Sequence, residues 1–203
     1  MELTTSLQLY WALLLAIGAV RLAELGLSRR RQRALAQRGV ARAPEPHFAA
    51  MVLLHTSVLL GAGIEAMLAG RAPVAALSVL ALLVVAGAIA LRIWVIVTMG
   101  PHWNAQIMDS VPLGVVAHGP FRWIRHPNYV AVFLELLALP LVHAAWITAA
   151  AGTGAHVWVL YHRIRAEESV LLAHPEYRAT MAQKPRFIPG FGPGLDLGPG
   201  GHA

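Results

Sequence analysis

Four long apolar stretches alternate with short polar segments along the 203-residue chain, at residues 9–27, 48–69, 74–99 and 129–164. At 1.5 Å per residue the first three each match one bilayer thickness, and each predicts a membrane-spanning helix. The fourth is too long for one span, since about 36 helical residues would reach roughly 54 Å. Pro140 lies near its middle and predicts a break, so this stretch reads as two shorter helices folded into a hairpin. The following segment, RAEESVLLAHPEYRATM at 165–181, sets Val170, Leu171 and Leu172 among polar positions. It predicts an amphipathic helix that continues past the last span on the cytoplasmic side. Residues 191–203, rich in Gly and Pro, are predicted to be disordered. The expectation is an all-α, multi-pass membrane helical bundle of about five transmembrane helices, forming a single domain over residues 1–190.

Composition strengthens that reading. Hydrophobic residues make up 57% of the chain and charged residues 13%, a balance foreign to soluble domains of this size. The absence of cysteine excludes disulfides, thiolate metal sites and a cysteine nucleophile. Residues 9–27 lack a basic leader and a small-residue cleavage pattern, so they are read as a retained helix rather than a signal peptide. Arg29, Arg30, Arg31, Arg33, Arg38 and Arg42 fill the first loop, whereas the second carries only Arg71. By the positive-inside rule the first loop is cytoplasmic and the N-terminus outside, in the cell membrane. The polar segment 100–127 and Arg163, Arg165, Arg178, Lys184 and Arg186 then share the cytoplasmic side. The net charge of +6 reads as topology and affinity for anionic lipid headgroups, not as a nucleic-acid groove.

Ionisable groups inside the spans need partners, water or a purpose. Arg21 and Glu24, three apart, predict a snorkelling pair, and Glu65 is expected to reach water at the outer end of its helix. His55 is read as a packing histidine. Arg92 either snorkels or faces an internal anionic site, and Glu135, about two turns into the fourth helix, has no assigned partner. The histidines fall on opposite membrane sides without metal-ligand spacing, so no metal site is expected. The small residues of AAAGTGAHVW predict close helix packing rather than a dinucleotide fingerprint, because no strand precedes them. Two clusters are denser still. His126, Pro127, Asn128 and Tyr129 open the fourth helix, and Tyr161 to Glu168 close the fifth. A hairpin makes them neighbours, where a proline-started helix offers amide donors to an anion while Glu167 and Glu168 offer acceptors to a cation or to hydroxyls. The same residues also suit an ordinary interfacial helix start and a solvated helix exit.

GPFRWIRHPNYV at 119–130, followed by RIRAEESVL at 163–171 and PEYRATM at 175–181, resembles the isoprenylcysteine carboxyl methyltransferase family. LRIWVIVTMGPHWN at 91–104 is also similar, so the likeness spans about residues 88–190. The resemblance implies an integral-membrane methyltransferase that uses S-adenosyl-L-methionine and acts on a lipophilic substrate entering from the bilayer. It implies cofactor contacts from Gln106, from Leu113, Gly114, Val115 and Val116, and from His126, Pro127, Asn128 and Tyr129. Phe121 stands where the family often has tyrosine, Glu167 matches an acidic cofactor contact, and Arg163 matches an arginine that handles substrate. Arg163 and Glu167 are thus the candidate catalytic pair.

The acceptor implied is an isoprenylcysteine-type carboxylate, or a lipid phenol or pyrone hydroxyl as in similar compact bacterial members. An ionised carboxylate needs no base and would be oriented by Arg163. A phenol or enol needs one, with Glu167, Glu168, His126 and Glu135 as candidates. The competing readings are a phospholipid N-methyltransferase, for which Arg163 is an awkward neighbour, a nicotinamide-dependent membrane reductase, which lacks a phosphate site, and a non-catalytic membrane scaffold or carrier.

Overall fold

The computed structural model describes residues 3–45 and 47–190; the tail expected to be disordered lies outside them. Six α-helices account for the architecture, with no strand among the described residues. The first, α1 (Leu3–Ala36), overruns the expected 9–27 at both ends and has 34 residues, about 51 Å of helix. Its extension through Arg29–Arg33 is physically simple: Arg, Gln, Ala and Leu are strong helix formers and nothing in that stretch stops a helix. Next come α2 (Phe48–Ala69), with the expected bounds, and α3 (Ala75–Met99). Residues 100–126 form an irregular cap with three short 3₁₀ turns. The chain then enters α4 (Pro127–Leu141), turns at residues 142–145, and returns along α5 (Trp146–Leu171). The hairpin expected around Pro140 is present, with the proline in the last turn of α4.

The amphipathic segment is not continuous with the last span as expected. Helix α5 ends at Leu171, and α6 (Pro175–Met181) is a separate helix. Pro175 has no N–H to give and biases His174 towards extended backbone, where it is found at φ −84° and ψ 124°.

Three helices, α1, α2 and α3 with the turn that follows it, are long and apolar enough to cross a membrane. At 15 residues α4 is shorter, and it lies in the centre of the bundle, packed against α3 and α5 and also touching α2. A short helix that is apolar on nearly every side is what a central position demands. The core joins Tyr10, Leu14 and Ile17 of α1, Ala62 and Ala66 of α2, Ala81 and Val85 of α3, and Ala138 and Leu139 of α4. Helix α5 reaches α2 through Gly152, where a Cβ would stand 2.6 Å from Val58 Cγ2, so the small-residue run serves close packing.

Glu65 keeps partial exposure at the outer end of α2, with its side chain 12% exposed, and also makes contacts that the sequence did not show. It accepts the Ile147 and Thr148 backbone N–H groups at 3.1 and 2.7 Å and the Thr148 hydroxyl at 2.8 Å. A carboxylate from α2 therefore caps the first turn of α5, whose free amides and dipole favour an anion.

Candidate functional site

The polar ends of α1, α3, α4 and α5 meet beneath the 100–126 cap. Pro127 begins α4 at its first position, where a missing N–H costs no hydrogen bond. The preceding residues are held by the C-terminal segment: Arg125 N donates to Pro185 O at 2.9 Å and His126 N to Arg186 O at 3.0 Å. His126 stacks on Tyr129, one turn on, with ring centroids 5.3 Å apart.

Helix α5 supplies the opposing groups. Glu168 is buried and fully engaged, contacting His126 Nε2 at 2.9 Å and Arg125 Nη1 at 3.3 Å, and accepting from Arg186 Nε at 3.0 Å and Nη2 at 2.5 Å. Its hydrogen bond raises the Arg186 pKa above the ordinary value, while burial lowers that of Lys184, which donates to Phe121 O at 2.8 Å. Glu167 is a half-buried carboxylate that accepts from the Tyr129 hydroxyl at 2.5 Å. Tyr129 in turn accepts from Arg163 Nε at 2.8 Å. Arg163, Tyr129 and Glu167 thus form a directed chain in which each hydrogen bond polarises the next.

Arg163 is not a free cation awaiting a carboxylate. Its Nη2 donates to Ala105 O at 2.6 Å, and its Nη1 is paired with Glu45 and touches Met51 Sδ at 3.4 Å. Glu45 also accepts from Ile107 N at 3.1 Å. Sequence reasoning missed Glu45. Its one available signal was a lone carboxylate between prolines, immediately before the second apolar stretch.

A second charged cluster lies deeper. Arg21 Nε donates to Glu135 Oε1 at 3.2 Å, with a further Arg21–Glu135 contact, and Arg21 Nη1 donates to Glu24 at 2.5 Å. Arg92 holds Glu24 through Nε at 2.7 Å and Nη2 at 2.6 Å. The expected snorkelling pair therefore turns inward, because two further charges await it. Arg92 faces an internal anionic site, and Glu135, 4% exposed, has its partner.

Between α1 and α2 on one side and α4 and α5 on the other lies a cavity of about 450 Å³, with Asn128, Tyr129 and Arg163 on its wall. Leu15, Leu22 and Leu60 also line it and are exposed on the outside of the bundle, so it opens sideways through an apolar mouth. The remaining candidate residues sit elsewhere. Gln106 accepts from Arg42 Nη1 at 3.4 Å in the segment that pairs with residues 41–43. Leu113 and Gly114 are exposed, whereas Val115, Val116 and the buried Phe121 pack with Tyr177 and Met181. Phe121 is thus part of a packed cluster. His126 and Pro127 are buried behind Tyr129.

The polar inventory suits a ligand with cationic and hydroxyl groups. Asn128 Oδ1 is buried without a partner, and an unsatisfied acceptor is costly unless a donor arrives. Glu167 keeps an oxygen free of Tyr129, with its side chain 27% exposed.

Comparison with known proteins adds the following. Residues 79–178 match the isoprenylcysteine carboxyl methyltransferase family. The chain is 28% identical over 163 residues to an uncharacterized protein, YpbQ, of Bacillus subtilis, covering 80% of this chain and 96% of that protein. It is 27% identical over 154 residues to an uncharacterized protein of Haemophilus influenzae, covering 75% and 89% respectively.

Proposed function

Because the chain belongs, over residues 79–178, to the isoprenylcysteine carboxyl methyltransferase family, we propose that it is an integral-membrane, S-adenosyl-L-methionine-dependent O-methyltransferase for a lipophilic acceptor. The observation that carries this reading is one cavity continuous from an apolar lateral mouth to Asn128, Tyr129 and Arg163. An acceptor's hydrocarbon part would enter between α1 and α2 from the bilayer, while the cofactor would approach from the side of the 100–126 cap. By the arginine distribution that side is cytoplasmic.

The cofactor, when bound, supplies a methyl group on a cationic sulfonium, so the chain itself need supply only alignment, desolvation and a charged or hydrogen-bonded frame. Asn128 Oδ1 and Glu167 are the acceptors assigned to its ammonium and hydroxyl groups, with Gln106 and the backbone of Leu113 to Val116 at the outer rim. Arg163 acts chiefly through Tyr129. By donating to the tyrosine oxygen it fixes the ring and turns the hydroxyl proton towards Glu167. That makes Arg163 a positioning residue rather than an anchor for an acceptor carboxylate, since Glu45 already holds its charge. The apolar walls exclude water from the acceptor oxygen, which strengthens every polar contact near it.

The test is transfer of label. Membranes containing the protein, given methyl-labelled S-adenosylmethionine and a lipid extract of the cells that make it, are expected to yield label in the organic phase. Label confined to the aqueous phase, equal to membranes without the protein, would overturn the proposal.

A further inference from the structure

The C-terminal segment beyond α6 runs beside the start of α4 and holds one residue there twice. Arg186 O accepts the His126 backbone N–H at 3.0 Å, next to Pro185 O, which accepts that of Arg125 at 2.9 Å. The Arg186 guanidinium grips Glu168, with Nε 3.0 Å from Oε1 and Nη2 2.5 Å from Oε2. Glu168 Oε1 in turn stands 2.9 Å from His126 Nε2. One residue thus fixes the main chain of His126 directly and its ring through a carboxylate. Arg186 lies beyond the family-matched residues 79–178.

The other ring nitrogen faces Glu167. His126 Nδ1 lies 3.6 Å from Glu167 Oε2, the oxygen that also accepts the Tyr129 hydroxyl. A neutral imidazole has one proton to place, and the partner of one nitrogen decides the role of the other. With the proton on Nε2, in the hydrogen bond to Glu168, Nδ1 bears only a lone pair and leaves Glu167 alone. With the proton on Nδ1, His126 would donate to Glu167 and occupy an acceptor that the ammonium or hydroxyl groups of the cofactor need. The surrounding charges favour the first arrangement. Arg125 stands 3.3 Å from Glu168 Oε1, so Arg125 and Arg186 balance Glu167 and Glu168 without a charge on the ring, while Arg163 is balanced by Glu45. Arg186 keeps Glu168 an aligned, ionised acceptor, and hydrogen bonds to an ionised partner are the stronger ones.

We propose that Arg186 is a positioning residue for cofactor binding: acting through Glu168, it holds the His126 proton on Nε2 and so leaves Glu167 free to accept from the cofactor. This rests on the function proposed above and adds to its site a residue from outside the matched region. The backbone bond from His126 N to Arg186 O survives any substitution at Arg186 other than one that moves the chain, so the side chain's part can be tested by itself.

The experiment uses the full chain in detergent and takes two readings. Calorimetric titration with S-adenosylhomocysteine gives affinity. Nitrogen NMR of isotope-labelled histidines, without ligand at neutral pH, gives the tautomer of His126, whose signals are those lost in His126→Gln. Arg186→Met should lower affinity about tenfold, the worth of one charge-assisted hydrogen bond, and shift the His126 proton in part to Nδ1. Arg186→Lys, which returns a cation to Glu168, should recover most of both readings. Lys184→Met, in the same segment but bonded to Phe121 O, should change neither. Wild-type affinity in Arg186→Met, a loss of affinity with the tautomer unchanged, an equal loss in Lys184→Met, or two ring protons on His126 in the wild type would each overturn the proposal. If Arg186→Met does not fold, Arg186→Gln, an uncharged donor, decides by the same two readings: weakened binding with a shifted proton supports the proposal, and wild-type values refute it. Absence of binding to the wild type rejects the proposed function itself, whereas binding that is indifferent to Arg186 rejects this inference alone.

Discussion

Glu135→Leu is the most informative single change to the buried charges. In the folded protein Glu135 accepts from both Nε and Nη2 of Arg21, and Glu24 is already shared between Arg21 and Arg92. Removing Glu135 leaves two guanidiniums on one carboxylate within a region closed to bulk water. Loss of one partner from a buried ion pair costs about 3–5 kcal/mol, and Leu fills most of the vacated volume, so the charge term dominates. For a chain of this size that corresponds to a fall in Tm of roughly 6–20 °C. Thermal unfolding in detergent, followed by far-ultraviolet circular dichroism, reads it. The double variant Arg21→Met, Glu135→Leu removes both members and should regain most of the loss, because apolar replacement of a complete buried pair is often neutral or stabilising. A Glu135→Leu protein as stable as wild type, or a double variant less stable than the single one, would refute the charge-matching argument.

Other consequences follow from the same geometry. Tyr129→Phe breaks the chain between Arg163 and Glu167 and should lower methyl transfer about 10- to 100-fold, the worth of hydrogen bonds to charged partners, measured as kcat with Tm unchanged within a few degrees. Glu65→Ala uncaps α5 and should destabilise by about 1–2 kcal/mol in denaturant unfolding; the exposed Arg71 contributes little to that loss, since its contact with Glu65 is 3.5 Å at 48% exposure. Gly152→Leu drives a side chain into Val58 and should cost about 1–3 kcal/mol, again in unfolding. Glu45→Gln leaves Arg163 without its countercharge and should raise affinity for dodecanoate, read as quenching of the cavity-lining Trp11 and Trp103, while binding of the uncharged dodecylbenzene stays unchanged.

Hydropathy alone delimits α2, because its apolar run is bounded by the polar first loop and by Gly70, which ends the helix in the left-handed region at φ 57°. The hairpin is legible from Pro140. The reach of α1 is not, since the apolar run stops near Leu27 while helical propensity continues through the arginines to Ala36. The site divides in the same way. His126 to Tyr129 and Arg163 to Glu168 declare themselves as dense polar clusters on the two arms of one helical hairpin, and the fold sets them against each other. Glu24 and Arg92 lie 68 residues apart, and Arg163 and Glu45 118 apart; no local pattern joins them. Without those pairings, Arg92 had two open readings and Glu135 had none, and Arg163 looked available to a substrate carboxylate.

The central claim is that the cluster of Asn128, Tyr129 and Glu167 receives a sulfonium nucleoside cofactor. Calorimetric titration of the detergent-purified protein with S-adenosylhomocysteine tests it most directly. The account predicts saturable heat for the wild type, a loss of affinity of tenfold or more for Glu167→Ala, about the worth of one charge-assisted hydrogen bond, and near-normal heat for Arg92→Met. Absence of binding to folded wild-type protein, or equal affinity for Glu167→Ala, would contradict it.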